Sequence, residues 1–151
     1  MINAQQQKIV PVIPPGAIID NTSPTVTVID TLDFEWATIV VMLGATDIAM
    51  AALSLQQSDA SGSGFAVITG ADFATGKNTD GSTATLPSAS DDNHFFAFQV
   101  DLRGKKRYLK LIATGGDGTA GAYISAFALL SRGHEVPDSM SKRGFTQEIK
   151  V

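Results

Sequence analysis

The chain has 151 residues, no cysteine, 17% charged residues and a formal net charge of −4. That length suits one domain burying roughly two-thirds of its unfolded surface, and the missing cysteines exclude disulfide staples and thiol chemistry. An acidic balance argues against a nucleic-acid binder, and a charge content below the usual value of about 25% fits a surface partly covered by neighbours.

The N-terminus, MINAQQQKIVPVIPPG, lacks the charged-then-apolar pattern of a signal peptide, and no apolar run approaches the roughly 18 residues of a membrane span. Met1 to Gln7 form a polar cap, and Lys8 to Pro15 is a segment in which Pro11, Pro14 and Pro15 exclude helix and deny ladder donors. It is expected to be an extended arm or an edge strand. Turn signals then recur at short spacing: PPG, DNTSP, GATD, SDASGSG, TGKNTDGS, PSASDDN, RGK and GGDG. The runs between them, rich in Val, Ile, Thr and aromatics, predict strands near 17–20, 24–30, 35–43, 48–57, 64–69, 93–101, 106–114 and 120–131. Residues 46–57 and 120–131 are alanine-rich enough to suit helix, but neither has capping residues or a 3.6-residue stripe, which favours strand. Alternation in 35–43 and 120–131 predicts two strands apolar on both faces, with Trp36 in the core. Phe96 and Phe98 share a face with Val100, leaving Phe95 on the outer face with Ala97 and Gln99. Residues 70–92 have little to bury and read as a long surface loop. The fold class is all-β: a single β-sandwich, jelly-roll-like, over 16–132, with an N-terminal arm at 1–15 and a C-terminal tail at 133–151.

Charge is unevenly placed. Residues 1–100 hold two bases against ten acids, and residues 101–151 hold nine bases against five acids. The densest cluster, Arg103, Lys105, Lys106, Arg107 and Lys110, lies at a turn and the start of a strand on which Tyr108 and Lys110 share one face and Leu109 and Leu111 the other. A phosphate site is one reading; a solvated turn or a salt-bridging contact with an acidic neighbour fits an acidic chain better. Gly116, Gly118 and Gly121 spell G-x-G-x-x-G, yet a dinucleotide site also needs a following helix and a second parallel strand, so a turn centred on Asp117-Gly118 is the simpler account. His94 and His134 stand in no metal spacing. Asp91, Asp92, Asn93 and His94, or Asn78, Asp80 and Ser82, lack the pattern of a calcium loop. No nucleophile–base set is visible, so the expectation is a protein that is not an enzyme and has no cofactor, metal or catalytic residue.

The stretch from EWATIVVMLGATDIAM to GFAVITG, followed by FFAFQVDLRGKKRYLKLIATGGDGTAGAYISAFALLSR, resembles small proteins encoded among the head genes of tailed phages and prophages. The likeness covers about residues 34–132 and carries over no contact residue. It implies a virion structural protein made in the host cytoplasm. Its place would be the outer head surface, as a decoration or cement protein on the major capsid protein shell, assembled as a homodimer or homotrimer. Neither membrane nor nucleic acid is an expected partner. From the residues themselves, the anchors for neighbours are Ile9, Val10, Val12 and Ile13 in the arm, by strand addition. Arg103, Lys105 and Lys106 would serve in the basic turn, and Val136, Met140, Phe145 and Ile149 as isolated apolar residues of the tail. Deleting 1–13 or 134–151 is expected to leave the sandwich folded and weaken attachment. The alternative is a sugar-binding or tail-fibre β-sandwich module that uses exposed aromatics such as Phe95.

Overall fold

The computed structural model describes residues 6–134, 139 and 141–149. Eight strands run β1 Lys8–Ile13, β2 Ile29–Asp30, β3 Phe34–Thr46, β4 Ala52–Ser58, β5 Ala66–Asp72, β6 Phe95–Asp101, β7 Tyr108–Thr114 and β8 Ala122–Gly133, with one short 3-10 turn at Ala89–Asp91. They form two four-stranded antiparallel sheets, ordered β1-β8-β3-β6 and β2-β7-β4-β5, which pack as a β-sandwich. The pairs β1·β8, β2·β7, β3·β6 and β4·β5 nest inside one another, as though one long hairpin had been folded over.

Period-2 alternation builds the core. Ala37, Ile39, Val41 and Leu43 of β3 point inward with Ala126, Ala128 and Leu130 of β8 and Phe98 and Val100 of β6. They meet Leu53 and Leu55 of β4, Leu109, Leu111 and Ala113 of β7 and Ile29 of β2 from the opposite sheet. Nine of the twelve largest fully buried side chains are Leu, Ile or Met, so small alanines on β8 let bulky facing residues interdigitate.

Four expectations need correction. Val12 and Ile13 are not free anchors: they are 0% and 2% exposed in this chain's own core, and β1 pairs along β8. The segment 8–13 is therefore an edge strand of the sandwich rather than a detachable arm. The strands expected at 17–20 and 24–30 shrink to a single Ile19–Ala122 bridge and the two residues of β2. There Thr27 donates its N–H to Val12 O, closing one side of the sandwich instead of extending a ladder. Residues 73–92 do bury surface: Phe73 stands edge-on to the rings of Phe96 and Phe98 at 5.7 and 5.1 Å, and Ala84 and Pro87 are buried. Finally, β3 and β8 are apolar on both faces but meet the second sheet on only one, and no sheet packs over the other, outer face among the described residues. Trp36 lies on that outer face, half-buried, not in the core.

Candidate functional site

The glycine-rich loop joins β7 to β8, so a strand and not a helix follows Gly121. The N–H groups of Thr119 and Ala120 converge on one oxygen of Asp47, and Gly118 N–H reaches Asp20 Oδ1 at 3.1 Å. These backbone bonds hold the Asp47 carboxyl below the usual carboxylate range. A Cβ on Gly118 would strike the Asp47 carboxylate, and one on Gly116 would strike Ala49 O. The loop's glycines thus serve close packing around an exposed carboxylate of the same chain, to which the amides of Thr119 and Ala120 are already bonded.

The basic turn is answered from within the chain. Arg103 forks onto Asp101, holding its carboxyl down at about 2; Lys106 Nζ lies 2.8 Å from Asp59; Arg107 binds Asp30 through two nitrogens at 2.8 and 2.7 Å. Lys110 lies over the Phe65 ring at 5.6 Å. Lys105 is exposed and its side chain has no acidic partner among the described residues. On this exposed turn, Asp101, Asp59 and Asp30 of the same chain supply the ion pairs that one of the two readings assigned to an acidic neighbour.

In the arm, Ile9 and Val10 are half-buried on opposite faces of β1. Ile9 N–H donates to Arg143 O at 2.8 Å, so the tail lies along the free edge of β1, where Arg143 also pairs with Glu148. Gly144, at φ +90°, sits where a Cβ would collide with Ile9 O. Phe145 is half-buried and Ile149 is 90% exposed; Val136 and Met140 lie outside the described residues.

Two surface features were not singled out from sequence. One is a cleft of about 590 Å³ between the β5 and β6 edges, lined by Ile68, Phe73, Asp72, Lys77, Ala97 and Lys105 among others. Its ionisable lining is balanced, acids against lysines. The other is the outer face of the β1-β8-β3-β6 sheet. Its rows run Ile9–Leu129–Thr38–Gln99, then Pro11–Phe127–Val40–Ala97, then Ser125–Met42–Phe95. None of these is charged. Phe95, Tyr123 and Phe127 are 65%, 47% and 37% exposed, which at 150–250 Å² per ring leaves roughly 300 Å² of aromatic surface in water. Tyr123 lies across Gly44, beside a shallow hollow of about 180 Å³ formed with Pro15, Met42 and Ser125. At the other end Trp36 is fixed by its indole N–H to Gln99 Oε1 at 3.1 Å, with Arg132 over its ring. The signal for this face was present as apolar residues on both parities of 35–43; sequence could not say which parity would be left bare.

Among the described residues no group of three or more His, Asp or Glu side chains is placed to hold a metal ion. No family model, curated protein or solved structure matches this chain.

Proposed function

We propose that this chain is a structural protein of a tailed-phage head, a decoration or cement protein with a jelly-roll body, docking on the major capsid shell through the outer face of its β1-β8-β3-β6 sheet. The observation that carries this reading is that face: three exposed aromatic rings and Met42 on a rigid sheet, with no charge in the rows between them. Contiguous apolar surface of this size on a stable framework suits a protein partner. The nested strand pairing supports the jelly-roll assignment, and the resemblance of residues 34–132 to head-gene products supports the location.

The test is co-sedimentation with undecorated shells. Wild-type protein should pellet in many copies per particle, and a Phe95→Ser, Phe127→Ser double variant should stay in the supernatant while melting like wild type, since both rings lie outside the core. Equal pelleting of the two proteins would remove the face from the account, and failure of wild type to pellet would remove the shell. The exposed Phe95 ring also suits stacking on a sugar; a glycan screen giving specific binding that disappears with Phe95→Ala would favour a carbohydrate-binding module instead.

A further inference from the structure

Four strands lie at sheet edges, and three of them are guarded. β2 is two residues long. β5 is broken by a register shift opposite β4 and by Gly70 at φ +83°. β1 carries Pro11 and is covered by Arg143 and Gly144. Each of these devices blunts strand pairing with another chain. β6 has none of them. Its sequence FFAFQVD contains no proline or glycine and no charge before its last residue, Asp101, and it pairs with β3 in unbroken register.

Leu43 N–H bonds to His94 O, and Leu102 N–H bonds to Glu35 O. In an antiparallel ladder bonded and non-bonded residues alternate, so the even-numbered residues of β6 face β3. Phe95, Ala97, Gln99 and Asp101 therefore turn their N–H and C=O groups to the open edge.

We propose that β6 is a homodimer seam: two copies join β6 to β6, antiparallel about a two-fold axis through Ala97, forming one continuous eight-stranded sheet. Charge placement selects a second copy as the occupant. Asp91 and Asp92 lie just before β6 and Arg103 and Lys105 just after it. Antiparallel self-pairing about that axis sets the basic turn of each copy beside the acidic turn of the other, twice over, as an isologous contact requires. Lys105, which has no acidic partner in its own chain among the described residues, gains one. Asp101, the only charge on the strand, does not face its own copy. The outer apolar rows also continue across the axis without a break. The seam stands apart from the virion reading, since it concerns two copies of this chain and no shell.

Sedimentation velocity on the purified full chain tests it. Wild type should show a reversible monomer–dimer equilibrium with Kd between about 1 and 100 μM, as a small edge interface allows. Ala97→Pro removes an outward N–H and leaves the β3 ladder bonded, so it should be monomeric throughout that range with an unchanged far-UV spectrum. Lys105→Glu, on an exposed turn, should weaken the dimer about tenfold. A wild-type monomer across the whole range would overturn the proposal, as would a dimer that both variants leave intact. If Ala97→Pro fails to fold, Lys105→Glu decides alone: weakening supports the seam, and no change rejects it.

Discussion

The carboxylate of Asp47 accepts the N–H groups of both Thr119 and Ala120, so the glycine-rich loop directs these amides to a group of its own chain. Asp47→Ala should leave those amides without an acceptor, so hydrogen exchange at Thr119 and Ala120 should accelerate selectively while β7 remains protected; uniform protection would contradict the assignment. Acid has a related effect. Arg103 holds the Asp101 carboxyl at about 2, below the unperturbed 3.8, and Asp30, Asp47 and Asp80 are shifted the same way. Groups depressed in the folded state contribute above the unfolded value and lose that contribution as pH falls through the folded one. The melting temperature should therefore drop between about pH 4 and pH 2, with a shallower slope in Asp101→Asn; parallel slopes would remove Asp101 from the effect. In the core, Leu111 is fully buried between the sheets, and Leu111→Ala should cost about 2–5 kcal/mol in urea titration.

At the scale of the strand, β1 is where composition and role diverge. The odd-numbered residue Ile9 turns its N–H away from β8 to the tail, so Pro11, two residues on, sits where a missing donor breaks no β8 bond. Val10 lies on the bonded parity. Val10→Pro should lower stability sharply while Pro11→Ala is nearly neutral, and similar melting temperatures for the two would refute the register. Removal of residues 1–13 takes Val12 and Ile13 out of the core and should destabilise or unfold the isolated protein, measured by loss of its cooperative melt. Gly144→Ala should lift the tail from β1, raising proteolytic sensitivity after residue 133 without unfolding the sandwich, because a side chain there meets Ile9 O at a positive φ.

Across the whole molecule the nested pairing joins residues near the two ends, β1 with β8, before the sheet is complete. Such non-local closure places folding in the millisecond-to-second range of all-β domains. The two open sides of the sandwich differ. β1 and β2 are tied together by Thr27 and Val12, whereas the β5 and β6 edges diverge around the 590 Å³ cleft. The bare outer face and the bare β6 edge adjoin through Phe95 and Ala97, so both proposed contacts use the same side of the molecule.

Strand identity was legible because turn residues punctuate runs of β-branched and aromatic residues, and parity correctly put Phe98 inside and Phe95 outside. Those are local properties: side chains alternate with period 2 whatever the strand's neighbours. Three things were settled only in three dimensions, because each depends on a partner distant in sequence. Pro-rich residues 8–13 became a structural strand once β8 supplied its ladder. The cations of the basic turn met Asp101, Asp59 and Asp30, of which two lie over 40 residues away. Trp36 and its row stayed at the surface because a sandwich has two layers, and a strand apolar on both faces can cover only one of them.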